Sequence, residues 1–143
     1  MLDYNFLQRK IKLIQEDLSK LEELSQYSFE DIAGDFIKLS AVERMLERII
    51  MRAIDINQHI ISEIGKGDEP IRGYEDTFYA LVRLDVYDDE FAKQIAPSAG
   101  LRNRLVHDYN HTEEKIIYES VKDAIRQYAL YCNAVLTFLE KNK

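Results

Sequence analysis

Apolar side chains recur at helical spacing along most of the chain. In residues 2–25, charged and amide side chains separate the apolar positions Leu2, Phe6, Ile11, Ile14, Leu18, Leu21 and Leu24. This spacing predicts an amphipathic helix. Ser28, followed by Asp31 three residues later, predicts a new helix N-terminus after a break at residues 26–28.

The second helical pattern covers residues 29–64 and ends at the glycine pair Gly65 and Gly67. Gly34 and Ser40 are positions at which it could bend or divide. Within residues 49–64 the apolar side chains cover more than one face, so this helix is expected to be buried on two sides. The second covering surface could equally be a partner subunit or the rest of the fold. From this two-sided apolar pattern we predict a homodimer.

Shorter helical patterns fill the second half of the chain. They predict a helix from Tyr74 to about Leu84, one that starts at Tyr87-Asp88-Asp89 and breaks at Pro97, and a run from Ser98 to about His107. A turn at residues 110–112, with Thr112 as N-cap, then precedes a last helix to about Leu139. No segment has the alternation of a strand. We therefore predict an all-α fold, an antiparallel bundle of about five helices in a single domain spanning residues 1–143.

Composition narrows the class of protein. The chain is 46% apolar and 31% charged, as in an ordinary globular domain, and Cys132 is its only cysteine, so no intramolecular disulfide can form. The start lacks the pattern of a secretory signal, and no apolar stretch is long enough to cross a bilayer. These features predict a cytoplasmic protein without membrane contact. The net charge of −7 argues against general coating of nucleic acid but allows a local basic site.

The residues with catalytic chemistry are concentrated in residues 100–109. Gly-rich phosphate loops and His-Glu-x-x-His or cysteine-rich metal motifs are missing, but two guanidinium groups, an amide, an imidazole and a phenol lie close together: Arg102, Asn103, Arg104, His107 and Tyr109. Arginine fits phosphate oxygens, and histidine can move a proton near neutral pH. Such a site needs neither a metal ion nor a cofactor when RNA supplies its own 2′-hydroxyl as the nucleophile.

Two considerations limit this hypothesis. On an ideal helix His107 lies about 140° from Arg102, so either the helix ends near His107 or the site is completed across a dimer interface. Composition alone favours a simpler interpretation, in which these residues are the solvated end of a helix.

The spacing Arg102-Asn103-x-x-x-His107-x-Tyr109 resembles the R-x4-H-x-Y signature of HepT-like toxins, members of the HEPN (higher eukaryotes and prokaryotes nucleotide-binding) superfamily. Three further stretches are similar in kind and order, so that the resemblance spans nearly the whole chain: residues 41–44, residues 54–61 and residues 74–78.

The resemblance implies a metal-independent endoribonuclease of a toxin–antitoxin pair, with a composite active site between two protomers. Arg102 would bind the scissile phosphate, His107 would act as acid or base, and Asn103 would orient one of them, with Arg104 in a supporting role. It also implies a minimal nucleotidyltransferase antitoxin that transfers AMP to Tyr109. The alternative is a non-catalytic subunit that presents substrate to a nucleotidyltransferase.

Weaker candidates lie on the second long helix and in the second half of the chain. Arg44, Arg48 and Arg52 could follow an RNA backbone, although a solvated stripe paired with Glu43 and Glu47 is the favoured interpretation. The pairs Asp55 with His59 and His107 with His111 have metal-ligand spacing, but no further ligands accompany them. The remaining tyrosines, such as Tyr128 and Tyr131, are predicted to pack in the core or at an interface.

Overall fold

The computed structural model of the protein describes residues 1–67, 70–105 and 111–143, with the backbone alone at residues 111–113. Across these ranges no strand is present, and the all-α prediction is confirmed. The helices are α1 (Tyr4–Leu24), α2 (Phe29–Ala33), α3 (Phe36–Ile64), α4 (Tyr74–Arg83), α5 (Asp89–Ile95), α6 (Ser98–Leu105) and α7 (His111–Lys141). The three long helices α1, α3 and α7 form the frame of the bundle.

Short polar side chains define most of the helix starts. The Ser28 Oγ accepts a hydrogen bond from the Asp31 backbone N–H at 3.1 Å, which confirms the predicted N-cap. The pattern of residues 29–64 divides at Gly34, as predicted, and Asp35 caps the start of α3. Each cap satisfies a backbone N–H that the helix itself leaves without a partner.

The start of the last helix differs from the prediction. Because α7 already includes His111, the backbone of Thr112 is helical and Thr112 is not the N-cap. The helix that carries Arg102 is described as far as Leu105, and the predicted end near His107 lies outside the described residues. Ser98 begins this helix, but its Oγ donates to the carbonyl oxygen of Ile95 at 2.7 Å and does not cap an N–H group.

Contacts between the long helices show an antiparallel arrangement. Lys10 near the start of α1 pairs with Asp55 late in α3 at 3.0 Å, and Asp17 further along α1 pairs with Arg52 at 2.6 Å. At the two ends of α7, the hydroxyl of Tyr118 donates to the Tyr27 carbonyl just beyond α1, and the hydroxyl of Tyr4 donates to the Asn142 carbonyl. α1 therefore runs opposite to both α3 and α7.

The two apolar sides of α3 are both covered within one chain. Ile49, Ile50, Ile54, Ile56 and Ile60 are fully buried in the isolated protomer, against surfaces that α1, α4, α6 and α7 provide. Of the two covering surfaces that the sequence left open, the rest of the fold supplies the second one, so the apolar pattern of residues 49–64 gives no support for a partner subunit. The buried side chains form one core, in which Tyr128 and Tyr131 are fully enclosed, as predicted.

Candidate functional site

The candidate site begins in the last turns of α6. Arg102, Asn103 and Arg104 all lie in this helix, whereas His107 and Tyr109 lie outside the described residues. The start of α6 is anchored by Ser98, whose Oγ lies 2.6 Å from the hydroxyl of the buried Tyr128 on α7. Leu101 is buried in the core, and the packing of its side chain there fixes the orientation of α6 around the helix axis.

Arg102 is half-buried, and its guanidinium contacts an aromatic ring. The Arg102 Cζ lies 5.9 Å from the centroid of the Tyr74 ring, at the start of α4, within the range of a cation–π contact. The Nε of Arg102 is buried and has no hydrogen-bond partner in the part of the chain that the structure describes. A buried donor without an acceptor is costly, and no acceptor in the described part of the chain competes with an anionic ligand for the charge of this guanidinium.

The structure does not bring Arg104 next to Arg102. Two residues apart on a helix, the side chains lie about 200° from each other around the axis. Arg104 is exposed and lines a groove of about 320 Å³ between α5, α6 and α7, together with Gln94, Ser120, Asp123 and Gln127. Asn103 is also exposed. Only Arg102 therefore faces α4 among the three described members of the motif.

Tyr74 is a feature of the site that the sequence did not assign. It belongs to the family-like stretch after the glycine turn, and this resemblance was the only signal for it. Tyr74 and Arg102 lie far apart in the chain, and helical periodicity does not reveal contacts between different helices. Tyr74 is 39% exposed, so part of the residue remains accessible at the surface.

The arginines of α3 are arranged differently from the prediction. Arg44 pairs with Glu47 at 3.4 Å, in agreement with the expected surface stripe. Arg48 and Arg52 instead bind the carboxylate of Asp17 on α1, at 3.2 and 2.6 Å. Asp17 is 1% exposed. Its buried charge needs compensation, which the two arginines supply, so they neither form a solvated stripe nor remain free for RNA.

The histidine and aspartate side chains of α3 are bound to α1. The Asp55 carboxylate pairs with Lys10, and the His59 Nε2 accepts a hydrogen bond from the Asp3 backbone N–H at 3.0 Å. These contacts explain the spacing of Asp55 and His59 without a metal ion. Within the described ranges no group of three or more His, Cys, Asp or Glu side chains could hold a metal ion, and the pair of His107 with His111 lies outside the described side chains.

None of the helices in residues 1–67, 70–105 and 111–143 combines the length and the apolar character needed to cross a bilayer.

Comparison with known proteins identifies similar sequences. Residues 14–135 match the family described as ribonuclease HepT-like. The tRNA nuclease HepT of Aphanizomenon flos-aquae is 35% identical over 133 residues, which cover 93% of this chain and 89% of that protein.

Comparison with solved structures supports the fold. A tri-AMPylated Shewanella oneidensis HEPN toxin, solved in complex with an MNT antitoxin, has a TM-score of 0.79 at 20% identity and covers 96% of this chain and 99% of that chain. YutE from Bacillus subtilis, described as a cytosolic protein of unknown function, has a TM-score of 0.81 at 17% identity, with coverage of 99% and 93%. At these identities the two likenesses establish a shared architecture of the helical bundle.

Proposed function

The chain belongs to the HepT-like ribonuclease family. From this premise we propose that it is the toxin of a toxin–antitoxin pair and that this toxin cleaves RNA without a metal ion. The observation that carries the proposal is the environment of Arg102. Its guanidinium is held against the Tyr74 ring, and no carboxylate neutralises it in the described part of the chain. In a protein with a net charge of −7, an arginine kept free of acidic partners is suited to bind a phosphate.

The chemistry assigned to the motif is transesterification of RNA. The 2′-hydroxyl attacks the adjacent phosphorus, the bond to the 5′-oxygen breaks, and a 2′,3′-cyclic phosphate and a 5′-hydroxyl are formed. Arg102 stabilises the charge that develops on the phosphate oxygens, and His107 transfers a proton from the nucleophile or to the leaving oxygen. Because the nucleophile is part of the RNA, the step requires no metal-bound water. Asn103 is the neighbouring side chain that would orient one of these groups, and Arg104 contributes positive charge nearby.

The first substrate to test is tRNA, because the 35% identical relative from Aphanizomenon flos-aquae is a tRNA nuclease. Purified protein is incubated with total tRNA in EDTA, and the fragments are analysed for cyclic phosphate ends. We expect cleavage by the wild type and a loss of about two orders of magnitude or more in His107→Ala, since acid–base catalysis depends on this group. A mock purification from cells that do not express the protein is the control for contaminating ribonuclease.

Two outcomes would contradict the proposal. Cleavage by His107→Ala at near wild-type rate would refute the assigned mechanism, and strict dependence on added divalent metal would refute metal independence. Absence of cleavage, together with stable binding to a nucleotidyltransferase, would instead favour the alternative of a non-catalytic docking subunit.

We further propose that a minimal nucleotidyltransferase antitoxin silences the protein by modifying Tyr109. The structural neighbour from Shewanella oneidensis is tri-AMPylated and bound to an MNT antitoxin. In the corresponding reaction here, the Tyr109 oxygen would attack the α-phosphorus of ATP and pyrophosphate would leave. The attached AMP would add a negative charge to the motif and would repel an incoming RNA backbone.

Tyr109→Phe tests this regulation, because it keeps the ring and removes the acceptor oxygen. We expect AMP units on the wild type after incubation with the cognate nucleotidyltransferase and ATP, and none on Tyr109→Phe, by intact-mass spectrometry. The variant should cleave RNA and resist neutralisation. Equal labelling of the two proteins would assign the modification to another residue, with Tyr118 as the nearest alternative in the sequence.

The remaining parts of the proposal concern assembly and location. We propose that residues 1–143 act as one domain and that two copies form a homodimer with a composite site. Support for a protein contact comes from Phe36 and Ile37 at the start of α3, whose side chains are 82% and 78% exposed. A cytoplasmic location is supported by the description of the Bacillus subtilis neighbour as cytosolic. Sedimentation showing a monomer at micromolar concentration would contradict the composite site.

A further inference from the structure

The contact between Arg102 and Tyr74 is made by the aromatic ring alone. The Arg102 Cζ lies 5.9 Å from the ring centroid, and the Tyr74 hydroxyl has no hydrogen bond to any described residue. A guanidinium over an aromatic face is attracted to the negative charge density of the ring. Phenylalanine would therefore preserve this contact, and an aliphatic side chain would not.

A buried chain of hydrogen bonds holds the turn that carries Tyr74. The Thr77 Oγ1 donates to the Tyr74 carbonyl oxygen at 2.6 Å and accepts from the Asn57 Nδ2 at 3.0 Å. The Tyr131 hydroxyl donates to the Asn57 Oδ1. Thr77, Asn57 and Tyr131 are all fully buried. Because partly broken networks of this kind are costly, the first turn of α4 is held in one position relative to α3 and α7.

Two further observations agree with this rigid turn. Burial raises the pKa of Tyr131 well above its ordinary value, so its hydroxyl remains protonated and able to donate. On the outer side of the turn, Gly73 provides no side-chain cap, but the Asp76 carboxylate accepts a hydrogen bond from the Arg72 backbone N–H at 3.0 Å. The start of α4 is therefore fastened both in the core and at the surface.

An aromatic ring can orient the Arg102 guanidinium without neutralising its charge, whereas a carboxylate cannot. Arginine has a long side chain whose rotamer freedom must be restricted before it can bind a phosphate in a fixed geometry. A carboxylate partner would restrict it but would also neutralise its charge and compete with the phosphate. The face of a ring orients the guanidinium while leaving its charge and its N–H donors available.

We propose that Tyr74 is a positioning residue for Arg102, whose ring holds the guanidinium in the orientation needed at the scissile phosphate. The inference rests on the proposed function of Arg102 and assigns to Tyr74 no contact with the reacting atoms. Tyr131, Asn57 and Thr77 act one step further away, because they fix the backbone from which the Tyr74 ring projects.

The kinetic test compares Tyr74→Leu with Tyr74→Phe. Loss of a partly desolvated cation–π contact and of the side-chain orientation should lower kcat for RNA cleavage about tenfold in Tyr74→Leu, with a smaller change in KM. Tyr74→Phe should remain close to the wild type. Tyr27→Leu is the matched control, because Tyr27 is 43% exposed and also lies under a cation, which is Lys38 of α3 and not Arg102, with the Lys38 Nζ 4.8 Å from its centroid.

A binding experiment separates a role through Arg102 from a general structural role. With a 2′-deoxy RNA that cannot be cleaved, Tyr74→Leu should weaken binding about fivefold in the wild-type background. The same substitution should have no further effect in Arg102→Ala. An equal effect in both backgrounds would show that Tyr74 acts independently of Arg102 and would overturn the inference.

The outcome for Tyr74 can be distinguished from failure of the proposed function. If the wild-type protein cleaves no RNA, the proposed function is wrong, but the position of Arg102 can still be measured by NMR. The ring current of Tyr74 should shift the Arg102 Nε–H resonance, and this shift should be lost in Tyr74→Leu and kept in Tyr74→Phe. Three outcomes would contradict the inference. They are cleavage by Tyr74→Leu at the wild-type rate, a loss of activity in Tyr74→Phe equal to that in Tyr74→Leu, and an unchanged Nε–H resonance in Tyr74→Leu.

Discussion

Arg52 on α3 and Arg102 on α6 show how differently one residue type can be used in the same bundle. Both side chains are partly withdrawn from solvent. Arg52 lies 2.6 Å from the buried carboxylate of Asp17, which Arg48 also contacts. Arg102 contacts the ring of Tyr74 and has no carboxylate among the described residues.

The difference separates a structural arginine from a candidate functional one. The pairs with Asp17 neutralise a charge that would otherwise be buried alone, and they connect α1 to α3. Arg102 retains its full charge and has an unpaired Nε–H, so the positive charge remains available for a ligand. The charge partner, rather than the degree of burial, therefore distinguishes the two sites.

The largest expected effect is that of Arg102→Ala on activity. We predict a loss of RNA cleavage of about two orders of magnitude or more with the fold retained, because the guanidinium stabilises charge in the transition state. Arg102→Lys should also fail, because an ammonium group cannot reproduce the planar arrangement of donors. The measurement is the rate of tRNA cleavage, with circular dichroism and thermal unfolding to verify the fold.

Arg126→Ala is the control that shows whether removal of any arginine side chain from the protein lowers RNA cleavage. Arg126 is an exposed residue of α7 that pairs with Asp123 at 3.4 Å, and its removal should leave cleavage unchanged. Cleavage by Arg102→Ala at near wild-type rate would show that an unneutralised arginine in this fold does not indicate a catalytic group.

The second effect is that of Asp17→Asn on stability. The substitution keeps the shape of the side chain but leaves Arg48 and Arg52 without their shared counter-charge. Because both arginines are partly exposed, we expect a loss of about 2–3 kcal/mol in the free energy of unfolding, below the range for fully buried pairs. Urea denaturation measures this loss, and RNA cleavage per folded molecule should be unchanged.

Glu16→Gln is the matched control for Asp17→Asn. Glu16 is the preceding carboxylate of α1 and is exposed, so its neutralisation should change stability by less than about 0.5 kcal/mol. An Asp17→Asn protein as stable as the wild type would show that the contacts of Arg48 and Arg52 are incidental and would remove one side of the comparison.

The features that the sequence predicted correctly are mainly local. Ser28 caps α2 through a hydrogen bond to a residue three positions away, and Gly34 divides the long helical pattern. Both features depend on backbone preferences that a short segment determines. The predicted cap at Thr112 was wrong because the backbone is already helical at His111, one residue earlier.

The features that could not be predicted depend on contacts between helices. The sequence showed that residues 49–64 need two apolar surfaces, but it could not show that α1, α4, α6 and α7 provide both of them. The same limit applies to the arginines. Glu43 and Glu47 are neighbours at helical spacing, whereas Asp17 is 35 residues from Arg52. Arg48 and Arg52 pair with the buried carboxylate of Asp17, because a buried charge is far more costly to leave unpaired than a charge at the surface.

For the candidate site, the sequence predicted a chemistry for the motif but not the contacts that surround Arg102. The order of Arg102, His107 and Tyr109 indicated a phosphodiester site, and family membership agrees with that hypothesis. The contact of Arg102 with Tyr74 results from the packing of α6 near the start of α4. The separation of Arg104 from Arg102 follows from helix geometry and could have been derived from their spacing.

The smallest expected effect is that of Arg44→Ala, which tests whether the surface of α3 has any role in RNA binding. Arg44 is 62% exposed, and its Nη1 lies 3.4 Å from the Glu47 Oε2, so the pair is well solvated. Exposed pairs of this kind contribute less than about 0.5 kcal/mol, and salt screens them further. We therefore predict a change in the free energy of unfolding below that value at low salt and none at high salt. A double-mutant cycle with Glu47→Ala measures the pair by urea denaturation. KM for tRNA should be unchanged in Arg44→Ala, because the proposal assigns phosphate binding to α6. A clear rise in KM that diminishes at high salt would instead place RNA along α3. The exposed arginine of α3 would then bind RNA, and the presence of a carboxylate partner would no longer distinguish structural from functional arginines in this protein.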